Sequence, residues 1–341
     1  MSVTWSSRCR WVAGALAIAA APALAADPQP PAADMLYHMA EATRALHYTG
    51  TFVYQRDNQI HAMKIVHRGD VNETEGEGEY ERMTSLSGAA REVIRDGSRV
   101  VCIYADNRSV VVEKSPSTKY LPLALFGASS ALGDLYQVEV KGDDRVAGRA
   151  AWTVAVRPLE RDRYGYAIWI DKESKLPLRS TVVANDGDKV LEEVQFTSIS
   201  TYDAIPDEWL QPEFASAGYR WFANTKPEDD APAGAQNGSD ETGWAVSWLP
   251  TGFKLMRDQE QMVSASRVPV RHWVYSDGLA MVSVFIEQLD DVKAPLRGYS
   301  TRGAVNAFGR VEREHQITVV GEVPLNTIRR IAGSIAFKKS P

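Results

Sequence analysis

The stretch Tyr48-Thr-Gly-Thr-Phe-Val-Tyr-Gln-Arg56, followed by Ala62-Met-Lys-Ile-Val-His-Arg68, decides the fold class. In the first run Phe52 and Tyr54 alternate with Thr51, Val53 and Gln55; in the second, Met63 and Ile65 stand opposite Lys64 and Val66. A period of two puts alternate side chains on opposite faces of a strand. Just upstream, Met35, Leu36, Met39, Ala42 and Leu46 have helical spacing instead. The sequence therefore predicts an amphipathic helix over 33–46, with Asp34 as its N-cap, leading into a sheet at Tyr48.

Period-two runs recur over 80–86, 91–96, 99–104, 109–114, 137–141, 151–157, 164–170, 178–184 and 189–198, with Asp96-Gly97 and Asp106-Asn107 as turn signals. Consecutive strands with short turns make an antiparallel meander, not alternating βαβ units. One interruption, 115–135, contains Tyr120-Leu-Pro-Leu-Ala-Leu-Phe126 and is too apolar for an exposed loop. It is expected to cross the concave face of a strongly curved sheet. Cys102 falls in a β-forming run on the same face as Val100 and Tyr104, where it acts as a small buried hydrophobe.

Residues 223–243 are polar and rich in Pro, Gly and Ala, the composition of a flexible linker. Beyond them Trp273-Val-Tyr-Ser-Asp-Gly-Leu-Ala-Met-Val-Ser-Val-Phe-Ile286 reads as a hairpin turning at Ser276-Asp277-Gly278, and Gln316-Ile-Thr-Val-Val-Gly321 as a strand followed by a short helix. The expected organisation is a signal peptide at 1–25, an N-terminal domain at 26–222, the linker at 223–243 and a C-terminal domain at 244–341. Arg8 and Arg10, the apolar run from Trp11 and Ala23-Leu-Ala25 form the export signal, which is too short to span a bilayer.

The 341 residues are 44% hydrophobic and 24% charged, a globular profile that fits two domains. There are 38 basic and 44 acidic residues, a formal charge of −6. Removing Arg8 and Arg10 with the signal leaves 36 basic residues and a formal −8, which argues against nucleic acid as a partner. Cys9 leaves with the signal, so Cys102 is the single cysteine of the exported chain, and neither a disulfide framework nor a multi-cysteine metal site can form.

No catalytic signature is present: there is no G-x-S-x-G, no H-E-x-x-H and no phosphate-binding glycine loop. His61 and His67 lie roughly 20 Å apart along one strand and cannot share an ion. His38 and His47 are not at i, i+4 spacing, and the run Glu73 to Glu79 lacks an EF-hand pattern. The reading is a non-enzyme with no cofactor and no metal. Its positive signal is apolar supply. Phe52, Tyr54, Leu123, Phe126, Trp152 and Trp169 are candidates to line a cavity for an acyl chain, with core packing as the alternative. Arg82, Arg91 and Arg95 are candidates for a basic patch that steers lipid phosphates, with surface ion pairing as the alternative.

The strings Leu46-His-Tyr-Thr-Gly-Thr-Phe-Val-Tyr54, Glu81-Arg-Met-Thr-Ser-Leu-Ser-Gly-Ala-Ala-Arg-Glu-Val-Ile-Arg95, Val274-Tyr-Ser-Asp-Gly-Leu-Ala-Met-Val-Ser-Val-Phe-Ile-Glu287 and Val319-Val-Gly-Glu-Val-Pro324 resemble the RseB/MucB family of periplasmic sigma-E regulators. The resemblance runs through nearly all of the exported chain. It implies a mainly β fold: a LolA/LolB-like half-open barrel with helices, and a smaller C-terminal α+β domain, 244–341, that binds the anti-sigma factor. It also implies a soluble periplasmic protein that binds the periplasmic part of an RseA- or MucA-type anti-sigma factor, shields it from the site-one protease and keeps the sigma factor sequestered. Lipopolysaccharide or another acylated lipid is the implied signal, and a homodimer is a further expectation. A lipid or lipoprotein carrier is the alternative function, supported by the barrel-like first domain alone.

Overall fold

The computed structural model describes residues 31–69, 79–97, 99–114, 132–185, 189–214, 217–224, 243–261, 269–289 and 295–337. The expected signal peptide, Leu123, Phe126 and nearly all of the expected linker lie outside them.

Helix α1 (Ala32–Ala45) is followed by β1 (His47–Arg56), β2 (Gln59–Arg68), β3 (Tyr80–Ser85), β4 (Arg91–Asp96), β5 (Arg99–Tyr104) and β6 (Ser109–Lys114). After the single turn α2 (Leu132–Leu135) come β7 (Tyr136–Val146), β8 (Arg149–Pro158), β9 (Gly165–Asp171), β10 (Pro177–Val183), β11 (Val190–Tyr202) and β12 (Arg220–Asn224). The remaining elements are β13 (Trp244–Val246), β14 (Lys254–Gln261), β15 (Val270–Ser276), β16 (Met281–Gln288), β17 (Gly298–Arg302), β18 (Val305–Glu312), β19 (His315–Gly321), α3 (Leu325–Ser334) and β20 (Ile335–Phe337).

The fold is mainly β. Twelve strands form one sheet in the order β12-β6-β5-β4-β3-β2-β1-β11-β10-β9-β8-β7. Two meanders, β1 to β6 and β7 to β11, are joined where β1 pairs antiparallel with β11. All neighbours are antiparallel except β12, which runs parallel to β6 as an edge strand that the sequence pattern did not reveal.

Alternation along the strands builds the core of this sheet. Phe52, Met63, Ile65, Met83, Val93, Val100, Cys102, Val154, Ile168, Val194 and Phe196 meet on one face, with Met35, Leu36 and Met39 of α1 packed onto it. Cys102 is buried as expected, 6% exposed. Gly50 sits where a Cβ would come within 2.6 Å of the Phe196 ring, so glycine here lets β11 close against β1. One local expectation fails: Asp34 does not cap α1. Pro31 holds the N-cap position with no side-chain cap bond, and Asp34 falls in the first turn, where its charge still favours the helix dipole.

The second sheet has the order β14-β15-β16-β19-β18-β17, and β13 pairs with β20 separately. Trp273, Val282, Val284, Ile317 and Val319 form its core with Ile328, Ile331 and Ala332 of α3. The predicted hairpin turn at Ser276-Asp277-Gly278 lies between β15 and β16.

Candidate functional site

Three regions of the larger sheet hold the candidate groups and the buried polar contacts: its apolar inner face, a polar row across that face, and the junction with the smaller sheet. On the inner face Phe52 is fully buried, its ring 5.6 Å from that of Phe196. Tyr54, two residues on, packs at the margin of the same cluster, and so does Trp152. Over the Trp152 indole stand two cations, Lys175 Nζ at 4.6 Å from the ring centroid and Lys172 Nζ at 5.5 Å. An apolar cleft beside α1 is lined by Thr43, Tyr48, Leu176, Pro177, Phe196 and Ile199. Trp169 is elsewhere: it packs with Val146, Ala151 and Leu178, carries the Arg179 guanidinium over its ring at 4.2 Å and donates from Nε1 to Asp144 at 2.7 Å. The structure thus brings Phe52, Tyr54 and Trp152 to one face and sets Trp169 apart.

The arginines are divided in the same way, by strand alternation. Arg82 faces away from the apolar core. Its Nη1 donates to the Gln211 carbonyl at 2.5 Å and it pairs with Glu92, whose carboxylate accepts from the backbone of Glu213 and Phe214. Arg91 and Arg95 share the face of Val93, with Arg91 half-buried and Arg95 only 7% exposed. Arg95 belongs to a cross-strand row in which Tyr48 stands opposite His67, His67 opposite Glu81, and Glu81 opposite Arg95. Burial raises the Glu81 carboxyl above its usual range, and the nearby His67 and Arg95 only partly offset this.

The junction is polar, buried and well satisfied. Arg163, between β8 and β9, is 0% exposed; its Nε donates to Asp277 Oδ2 at 2.6 Å and its Nη2 to the Thr251 carbonyl. The same Asp277 oxygen accepts from Tyr136 at 2.9 Å, while Oδ1 takes the backbone N–H groups of Leu279 and Ala280. Glu192 accepts from Tyr54 at 2.6 Å and from the Ala304 N–H at 2.9 Å, and Asn306 donates to the Tyr164 hydroxyl at 2.9 Å. Burial, followed by the bond to Glu192, raises the Tyr54 phenol far above its ordinary value, so it stays a donor throughout the physiological range. Gly303, at φ +59, lies where a Cβ would meet Glu192 Oε1 at 2.4 Å; glycine permits both the turn and the approach. Leu279 and Ala304 of the smaller sheet complete the larger sheet's apolar cluster.

Sequence reasoning found Asp277 only as a turn residue and missed Arg163, Tyr136 and Glu192. Nothing local marks them. Their partners lie 112 to 141 residues away, so only the tertiary fold brings them together.

Residues 31–214 match the model of the MucB/RseB N-terminal domain, and residues 238–336 that of the MucB/RseB C-terminal domain. The sigma factor AlgU regulatory protein MucB of Pseudomonas aeruginosa is 34% identical over 315 residues, covering 89% of this chain and 90% of that protein. The sigma-E factor regulatory protein RseB of Escherichia coli is 24% identical, covering 92% of each. A crystal structure of MucB in complex with MucA(peri) superposes with a TM-score of 0.68 at 30% identity, covering 91% of this chain and all of that one. A Pseudomonas aeruginosa MucA/MucB complex gives 0.67 at 30% identity, with 91% and 99% covered. Among the described residues no helix is long and apolar enough to cross a membrane. With both halves matched in order and the relatives covered almost end to end, this chain belongs to the MucB/RseB family, a family of sigma-factor regulators.

Proposed function

We propose that this chain is a periplasmic regulator that binds the periplasmic part of a MucA- or RseA-type anti-sigma factor, shields it from the site-one protease and so keeps a sigma-E-type factor inactive. The observation that carries this reading is the match of both halves to proteins solved in complex with MucA, at 30% identity and over 91% of the chain. In this reading residues 1–25 are the export signal, 26–222 form the lipid-sensing half, a LolA/LolB-like half-open barrel, and 244–341 form a second half tied to it by the Arg163–Asp277 junction. An acyl chain of lipopolysaccharide enters at the inner face near Tyr54 and Trp152. The half-exposed aromatic margin and the two lysines over Trp152 support that placement, since an acylated, phosphorylated lipid needs apolar surface beside positive charge. Binding releases the anti-sigma factor only if lipid and partner prefer different arrangements of the molecule.

The test is cleavage of a MucA-like periplasmic domain by its protease, with and without saturating amounts of this protein. Slowed cleavage that recovers on adding lipopolysaccharide is expected. Unchanged cleavage overturns the shielding role and favours a lipid carrier; slowing that lipopolysaccharide does not relieve overturns the sensing role alone.

A further inference from the structure

His67, Glu79 and Glu81 bring an imidazole nitrogen and two carboxylates within 4.8 Å of one another at the polar end of the inner face. His67 is 0% exposed and its ring is fixed from two sides. Nδ1–H donates to the Leu46 carbonyl at 2.9 Å, and Tyr48 stacks on the ring with centroids 4.5 Å apart. That leaves Nε2 aimed at Glu79 Oε1, 2.9 Å away. The carbonyl takes the Nδ1–H, so Nε2 and the Glu79 oxygen present lone pairs to each other across 2.9 Å, a gap that is bridged either by a proton or by a metal ion.

We propose that this cluster is a site for a divalent transition metal, with zinc the best fit. Calcium and magnesium take all-oxygen sets, whereas one imidazole and two carboxylates are a ligand set of zinc. The Nδ1–carbonyl bond is the outer contact that orients metal-bound histidines and fixes their tautomer. At zinc–ligand distances of about 2.0–2.2 Å, tetrahedral ligands stand roughly 3.3 Å apart. The Nε2 to Glu79 separation is already near that value, and a side-chain-scale movement closes the rest. Glu79 keeps 18% of its side chain exposed, which gives an ion a way in and leaves a position for solvent. Neutral His67 and two carboxylates balance the ion's charge. Arg95, registered opposite Glu81, keeps the affinity below that of a four-ligand structural site. The ion joins the end of β2 to the entry of β3.

The probe is zinc alone, titrated calorimetrically into the untagged full chain, with the His67 ring nitrogens followed by NMR. One ion per chain and a shift of the Nε2 resonance are expected. His67→Asn keeps a side-chain N–H for the Leu46 carbonyl but lacks Nε2, and Glu81→Gln keeps the shape but not the charge. Each should weaken zinc binding at least about tenfold, while the metal-free melting transition shows that the variant is folded. If His67→Asn does not fold, Glu81→Gln and the NMR shift carry the test. Absence of zinc uptake by the unsubstituted chain, or uptake that leaves the His67 ring unshifted and is unaffected by Glu81→Gln, overturns the site.

Discussion

On the six-stranded sheet the ten residues of α3 pack over β18 and β19, and Ile328, Ile331 and Ala332 are fully buried in one core with Trp273, Val282 and Val319. The twelve-stranded sheet has twice as many strands, yet among the described residues the long helix on it is the 14-residue α1, anchored by Met35, Leu36 and Met39. The smaller sheet closes its own core. The larger one borrows Leu279 and Ala304 from its neighbour and leaves Tyr54 and Trp152 half-covered at the margin. The difference sets a half that closes its own core beside one whose apolar face is finished at its margin by its neighbour, with Arg163 and Asp277 bonded across the seam between them.

The largest expected effect breaks that seam. Asp277→Ala removes the Nε partner of the buried Arg163, which keeps Asp162 and the Thr251 carbonyl close by, and takes the acceptor from Tyr136, Leu279 and Ala280; it should cost roughly 3–5 kcal/mol, read by urea unfolding. Arg163→Met combined with Asp277→Leu should recover only part of it: no buried guanidinium remains, but the Tyr136 hydroxyl and the Leu279 and Ala280 N–H groups still lose their acceptor. A single substitution with no effect would mean that the two sheets are stable separately.

Next come the helices. Met39→Ala in α1 and Ile331→Ala in α3 should each cost about 2–4 kcal/mol by opening a cavity in a core. Only the α1 variant should gain binding of an apolar fluorescent dye, since it uncovers the inner face; equal gains would erase the contrast drawn above. Smaller still is Tyr54→Phe, which removes the donor to Glu192 while the Ala304 N–H remains. About 1–2 kcal/mol is expected from thermal unfolding.

The smallest effect is one of pH. Burial raises the Asp171 carboxyl, but hydrogen bonds from Arg149 and Ser174 outweigh it and hold the folded value below the ordinary carboxylate range. A carboxylate depressed on folding contributes stability above its unfolded value and loses it as pH falls through the folded one. The melting temperature of the unsubstituted chain should therefore drop on acidification below the usual carboxylate range, and Asp171→Asn should flatten that drop.

Much of this architecture was legible because burial on one face imposes a period of two. The runs containing Phe52, Met63 and Met83 announce strands, and the helical spacing of Met35, Leu36 and Met39 announces α1. The hairpin at Asp277-Gly278 was legible from turn chemistry. The parallel pairing of Arg220–Asn224 with β6 was not, because a short edge strand shows no distinctive alternation and its partner lies far away in the chain. Trp169 shares β9 with Ile168 and Ile170 but has the opposite parity, a separation from Phe52 that its aromatic character alone does not show. The three arginines likewise read as one group, although alternation divides Arg82 from Arg91 and Arg95.

The central position of β1 governs how the molecule is made. His47 pairs with Tyr202 across β1 and β11, and the opposite edge of β1 pairs with β2, Tyr48 against His67. A chain synthesised from its N-terminus can form the β1–β6 meander early, but β1 keeps an open edge until residue 202 has followed. Closing that contact requires a very large loop, and folds dominated by such distant pairings assemble slowly. Until then the exposed edge of β1, with Phe52 beside it, is the point at which a folding chaperone would be most needed and aggregation would begin.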